Sequence, residues 1–118
     1  MRPLVACLCA EWCGSCREYR AVFATFSARY GERCEFAWID VEDESDALAD
    51  PDVDNFPTLL IAAGERALFY GAVTPASAER LVAGAVDGSL APSGGADAVE
   101  LLGRVRRLLD GRDGGGAA

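Results

Sequence analysis

The chain has 118 residues, 51% of them hydrophobic and 25% charged, with a net charge of −8. That is one domain's length and a globular composition, which excludes intrinsic disorder for most of the chain, and no apolar run approaches the ~20 residues needed to span a bilayer. The acidic balance argues against nucleic acid and membrane as partners, because both call for a basic face.

Residues 4–10 are an almost unbroken apolar run, as expected of a strand covered on both faces. Glu11-Trp12-Cys13-Gly14-Ser15-Cys16 interrupts it. From Cys16 the period changes: Tyr19, Val22, Phe23, Phe26 and Tyr30 recur every three or four residues, the stripe of an amphipathic helix, and Gly31 is a plausible stop. Residues 34–41 are rich in aromatic and β-branched side chains and form a second strand. Residues 40–54 then carry eight acids and no base, with a short helix predicted over 45–49. Pro57 opens a third strand over 58–63, Gly64-Glu65 is a turn, and a fourth strand runs over 66–70. So short a turn makes strands three and four antiparallel. Thr74 can N-cap a helix with Pro75 at its first position and Leu81, Val82 and Val86 on its apolar side. Residues 87–95 are a linker by composition. Residues 96–110 form a last amphipathic helix with Val99, Leu102, Val105 and Leu109 on its stripe, and Arg104, Arg106 and Arg107 outside it. Residues 111–118 are a frayed tail. The expected organisation is a domain over 1–86, a linker over 87–95, a helix over 96–110 packed on that domain, and a disordered tail over 111–118.

All 11 basic residues are arginine. Without histidine, Ser-His-Asp and Cys-His catalysis are excluded, as are His-ligated metals. Without lysine, so are Schiff-base chemistry and a P-loop lysine. The remaining candidates for chemistry include five cysteines: Cys7, Cys9, Cys13, Cys16 and Cys34. An odd count points away from a secreted disulfide framework and toward a reducing compartment, and residues 1–10 lead to no small-residue cleavage site before Trp12, so the expected location is cytoplasmic.

Cys13-x-x-Cys16 stands between a buried strand and a helix. Two intervening residues let the sulfurs meet across the first helical turn, where backbone N–H groups and the positive end of the helix dipole stabilise a Cys13 thiolate. Cys13 can then attack a substrate disulfide, and Cys16 can attack Cys13 to release reduced substrate. Cys7 and Cys9, two apart on a strand, share a face and read as small buried hydrophobes. The competing reading takes Cys7, Cys9, Cys13 and Cys16 as four thiolates for zinc or an iron–sulfur cluster. A strand's rise of ~3.3 Å per residue holds Cys7 away from the loop and disfavours it. Cys34 lies near the start of the second strand, remote from the motif. The acidic run reads as a solvated face, or as steering for basic partners, and Arg17 as thiolate support or plain helix surface.

Ala10-Glu11-Trp12-Cys13-Gly14-Ser15-Cys16 resembles the thioredoxin active-site motif, usually WCGPC. The resemblance continues in order through Trp38-Ile39-Asp40, through Phe56-Pro57-Thr58-Leu59-Leu60 at the cis-proline segment, and through Tyr70-Gly71-Ala72, and covers about residues 4–86. It implies an α/β thioredoxin-like fold: a four-stranded mixed sheet in order 2-1-3-4, the last strand antiparallel, helices on both faces. It implies Cys13 as nucleophile and Cys16 as resolving cysteine. Trp12, Gly14, Ser15 and a cis Pro57 would support the site, and Phe56, Trp12 and Gly71 would line the substrate groove. The expected partners are protein disulfides and an electron-donor reductase, with no cofactor or metal, in a monomer or weak dimer. Reduction is favoured over oxidation by the absent export signal and the spare thiols.

Four features depart from that pattern. Ser15 replaces the usual proline. Cys7 stands where the family keeps a buried Asp, and Phe36 where it keeps that acid's Lys partner. The usual first strand and helix are missing, since residue 4 already begins the central strand, so the C-terminal helix is expected to cover the sheet face left open; dimerisation is its competing use. The missing Asp and Lys motivate a second functional reading, a thioredoxin-fold binding or chaperone-like module with little turnover.

Overall fold

A computed structural model of the chain describes residues 3–9, 14–41, 44, 58–64, 66–90 and 96–117. In chain order its elements are β1 (Leu4–Cys9), α1 (Gly14–Tyr30), β2 (Glu35–Asp40), β3 (Thr58–Ala63), β4 (Arg66–Ala72), α2 (Pro75–Asp87) and α3 (Ala96–Ala117). The helix expected over 45–49 lies outside the described residues.

The sheet order is β2-β1-β3-β4. β1 pairs parallel with β2, in the register Leu4 to Glu35 through Cys9 to Asp40, as the α1 crossover requires. β3 and β4 pair antiparallel across the Gly64 turn, where φ is 62°. That left-handed backbone suits glycine, which has no Cβ to clash. β3 also runs antiparallel to β1, from Leu4 opposite Ala62 to Leu8 opposite Thr58. The long connection after β2 lets the chain return in either direction, so local pattern did not specify this reversal. β4 extends through Gly71 to Ala72, two residues past expectation, because its ladder with β3 continues to Thr58.

Burial explains why β1 is apolar throughout. Val5, Cys7 and Cys9 face a core completed by Tyr19, Phe23 and Phe26 of α1, Leu59 and Ile61 of β3, and Ala78, Val82 and Ala85 of α2. Leu4, Ala6 and Leu8 face the opposite core, with Ile39, Leu60, Ala62 and Ala98, Leu101, Leu102 and Val105 of α3. The helices terminate for specific reasons. A Cβ on Gly31 would stand 2.5 Å from the Ser27 carbonyl oxygen, so only glycine passes there as α1 ends. At the start of α2, Thr74 Oγ1 accepts from the Ser77 N–H at 3.2 Å, and Ser77 Oγ accepts from the Thr74 N–H at 2.9 Å. This reciprocal box satisfies two otherwise orphaned donors.

α3 corrects two expectations. Its buried stripe is Ala98, Leu101, Leu102 and Val105, whereas Val99 is 49% exposed. At about 100° of helical rotation per residue, a face centred on Leu102 and Val105 takes in their i−4 neighbours, Ala98 and Leu101, and turns Val99 to its edge. The tail expected to be disordered over 111–118 is helical as far as Ala117. The arginines of α3 divide their work. Arg104 pairs with Glu100 one turn away at 2.6 Å, and Arg106 donates to the Gly64 carbonyl oxygen at 2.7 Å, tying the helix to the β3–β4 turn.

α3 therefore packs on β3 and β4 and completes the core that holds Leu4, Leu8, Ile39 and Leu60. Leu102→Ala is expected to lower unfolding free energy by about 2–5 kcal/mol, the usual cost of a buried Leu→Ala cavity. Ending the chain after residue 90 would expose Leu4, Leu8, Ile39 and Leu60 together, and the cooperative transition in a urea titration should be lost. Unchanged melting of the shortened chain would show that α3 does not support the core.

Candidate active site

One end of the sheet gathers the candidate site. β1 ends at Cys9, opposite Asp40 at the end of β2. On the other side Leu8 pairs with Thr58, where β3 begins, and Thr58 pairs with Ala72, where β4 ends. The Val41 N–H donates to the Cys9 carbonyl oxygen at 2.8 Å, which holds the parallel pair together to its last residue. α1 begins at Gly14, two residues before the expected start. Position 16 thus falls within its first turn, and Cys13 directly precedes it in sequence. No acidic side chain occupies that first turn, so none offsets the helix's positive end. Arg17 is exposed, which fits the helix-surface reading.

Beneath this end lies a sulfur-rich interior. Cys7 is fully buried and Cys9 is 1% exposed, on the face that α1 covers. Their sulfurs are 3.7 Å apart. Cys9 is disulfide-bonded, while Cys7 and Cys34 remain thiols. Cys9 is thus buried as expected, but it is more than a small hydrophobe. A disulfide sulfur carries no proton, so the Cys7 thiol is the donor in this contact. Burial pushes the Cys7 thiol up to about 12. The Tyr19 hydroxyl is driven up first by burial and then by the neighbouring Cys7. Among the described residues it has no hydrogen-bond partner.

The two positions that differ from the family's charged pair are apolar in their surroundings as well as in their identity. Phe36 is partly buried against the same core, and its ring meets Phe23 edge-on at 5.5 Å between centroids. Trp38 meets Phe23 at 5.6 Å and carries the Arg20 guanidinium 5.3 Å above its ring. Cys7 pairs in register with Trp38 rather than with Phe36.

Of the residues expected at the site, Gly14 opens α1 and Gly71 lies in β4, opposite Leu59. Cys16 and Ser15 occupy the first turn of α1. Trp12, Cys13, Phe56 and Pro57 lie outside the described residues. Thr58, next in sequence to Pro57, is buried at the start of β3. Cys34 is buried immediately before β2, at the far end of the sheet, where its N–H donates to the Tyr30 carbonyl oxygen at 2.8 Å. Two features were under-read in sequence. Cys9's bonded state had no local signal, since its neighbour on the same strand face, Cys7, is a thiol. Tyr19 was counted as core, and its position three residues after Cys16 was the available clue that it belongs beneath the motif.

Among the described residues, no group of three or more His, Cys, Asp or Glu side chains is placed to hold a metal ion.

Several solved structures share this fold. The germline-specific thioredoxin Deadhead from Drosophila melanogaster matches with a TM-score of 0.64 and 22% identity, over 70% of this chain and 79% of that one. Fasciola hepatica thioredoxin matches with a TM-score of 0.65 and 21% identity, over 71% and 81%. Mitochondrial thioredoxin 3 from Saccharomyces cerevisiae, in its oxidised form, matches with a TM-score of 0.60 and 23% identity, over 69% and 76%. In sequence, the thioredoxin of Borreliella burgdorferi is 30% identical over 59 residues, 50% of each chain, so the chain spans about half the length of that relative. The Thioredoxin family model matches residues 2–84. With that match across most of its length, on a sheet and helix arrangement shared with solved thioredoxins, the chain belongs to the thioredoxin family.

Proposed function

We propose that this protein is a thiol–disulfide oxidoreductase that reduces protein disulfides through Cys13 and Cys16. The observation that carries the reading is the start of α1 at Gly14, directly after Cys13 and at the same sheet end where buried β1 stops. A cysteine at a helix N-terminus is the more acidic for it. The Cys13 thiolate attacks one sulfur of the substrate disulfide and expels the other as a thiolate. The Cys16 thiolate then attacks Cys13, closing the protein disulfide and releasing the second substrate thiol. A separate reductase protein returns the two electrons. Trp12, Phe56, Pro57 and Gly71 shape the groove for an extended substrate segment, and Ser15 tunes the pair. A reducing compartment, the cytoplasm, suits this direction of flow, in a monomer or weak dimer.

The second reading, a binding or chaperone-like module with little turnover, is favoured by one specific observation. At neutral pH the Cys7 thiol stays protonated, and no charged partner stands at Phe36. The proton of Cys16 therefore has no buried acceptor at those positions and has to leave through water or Glu11, which slows resolution.

Turnover separates the two. With dithiothreitol as electron source, wild type is expected to accelerate insulin reduction. Cys13→Ser should fall to the rate of dithiothreitol alone, and Cys16→Ser should accumulate a mixed disulfide. A wild type no faster than that background, with its thiols intact, would favour the binding module.

Stability should depend on pH through Cys7. Its folded pKa lies above its unfolded one, so the unfolded chain releases the proton first as pH rises. The stabilisation is complete below about pH 9 and declines from there toward 12, with a limiting slope of about 1.4 kcal/mol per pH unit for one group. Urea titrations between pH 8 and 11 should show a steeper loss for wild type than for Cys7→Ala. Parallel curves would show that the Cys7 thiol does not resist ionisation.

A further inference from the structure

We propose that a cavity on the flank of α3 binds a medium-chain carboxylate, with the carboxylate on Arg106 and the hydrocarbon chain against Val99 and Leu102. The cavity holds about 340 Å³ and is lined by Val99, Leu102, Gly103 and Arg106. That is the small end of the range for ligand pockets, about 300–1,000 Å³. Counted from Val99, the other three positions follow at helical spacing, so all four share one face of α3. Leu102 is buried, while Val99 is the large hydrophobic side chain left exposed among the described residues. Gly103 keeps the space open: among the described residues, a Cβ there would meet nothing within 4 Å beyond its own stretch of helix.

The polar wall of the cavity is a cation without a counter-ion. Arg104 is neutralised by Glu100 at 2.6 Å. Arg106 is part-buried and donates from Nη2 to the Gly64 carbonyl oxygen at 2.7 Å, and among the described residues no acid pairs with it. A carbonyl oxygen carries no net charge, and a charge drawn partly out of water without a partner is costly. The guanidinium has further N–H donors in a planar fork that matches a carboxylate. Its bond to Gly64 already fixes the side chain, so little freedom is left to lose when a ligand binds. The charge selects an anion, and Val99 and Leu102 select hydrocarbon beside it. The small volume selects a single short chain over a diacyl lipid. A carboxylate at one end of an unbranched aliphatic chain meets all three conditions, and covering Val99 adds apolar burial. Leu102 belongs to the core opposite the one that holds Cys7 and Cys9, so the proposal does not rest on the reductase reading.

The probe is octanoate, with octanol as its uncharged counterpart, each titrated into the isotope-labelled full chain and followed by amide NMR. Octanoate is expected to give saturable shifts at Val99, Gly103 and Arg106. Octanol should bind about tenfold more weakly, the usual scale for losing a charged hydrogen-bonded partner. Arg106→Gln should weaken octanoate by about the same factor and leave octanol unchanged. Gly103→Leu should fill the cavity and abolish binding of both, with thermal melting as the check that the variant is folded. Absence of saturable shifts below the micellar range would overturn the proposal, as would equal affinity for octanoate and octanol. Binding that persists in folded Gly103→Leu would do the same. Shifts at these residues that follow protein concentration and ignore octanoate would assign the face to a second copy of the chain, and would also sink the proposal. The comparison of the two probes needs wild type alone, so it decides the matter even where a variant fails to fold.

Discussion

The burial of β1 on both faces is the constraint from which the rest of the structure follows. A strand of six residues, all buried, has no solvent side on which to place polar groups. Two cores must be built, one on each face. α1 and α2 supply one, and α3 supplies the other. The backbone N–H and C=O groups of β1 are equally demanding, because unpaired polar groups are costly out of water. Parallel pairing with β2 and antiparallel pairing with β3 satisfy them on both edges.

That same constraint delivers the chemistry to one place. A central strand can leave its sheet only at an end, and β1 leaves at Cys9, where β2 also stops and β3 begins. The chain emerges there and enters α1 within a few residues. A buried strand therefore ends, and a helix N-terminus begins, on either side of the Trp12-Cys13 step. Open α/β sheets bind ligands at the carboxyl ends of their strands for this reason. The apolar interior below sets the acid–base character. Where a buried acid and base would pass a proton, this chain has a thiol resistant to ionisation and an aromatic ring edge-on to Phe23 of α1.

The energetics of α3 connect fold and site indirectly. Its contact with the sheet is small-residue packing at Ala98 together with larger side chains at Leu101, Leu102 and Val105, fastened by Arg106 to the Gly64 turn. Among the described residues, these apolar groups and the buried cysteines belong to separate cores. Leu4 and Leu8 share the α3 core, so β1 is packed on that face while Cys7 and Cys9 face α1 on the other.

Much of this was legible in the sequence because it depends on local pattern. The apolar run of β1, the three- and four-residue spacing of Tyr19, Phe23 and Phe26, the Thr74-Pro75 cap and the Gly64 turn are each decided within a few residues, by side-chain period and backbone sterics. The Cys13-x-x-Cys16 motif and the segments that accompany it identified the family for the same reason. Other features required the tertiary structure. The direction of β3 depends on a long connection that local sterics do not constrain. The buried stripe of α3 turned away from Val99 because the sheet accepts the small Ala98, and that choice is made by the surface on which the helix packs. Helical structure continued to Ala117 through a segment whose composition argued against it. The state of Cys9 was least legible of all. Whether a cysteine is core filler or a bonded sulfur is decided by which other sulfur the fold brings within reach, and that distance is a property of the assembled sheet and helix.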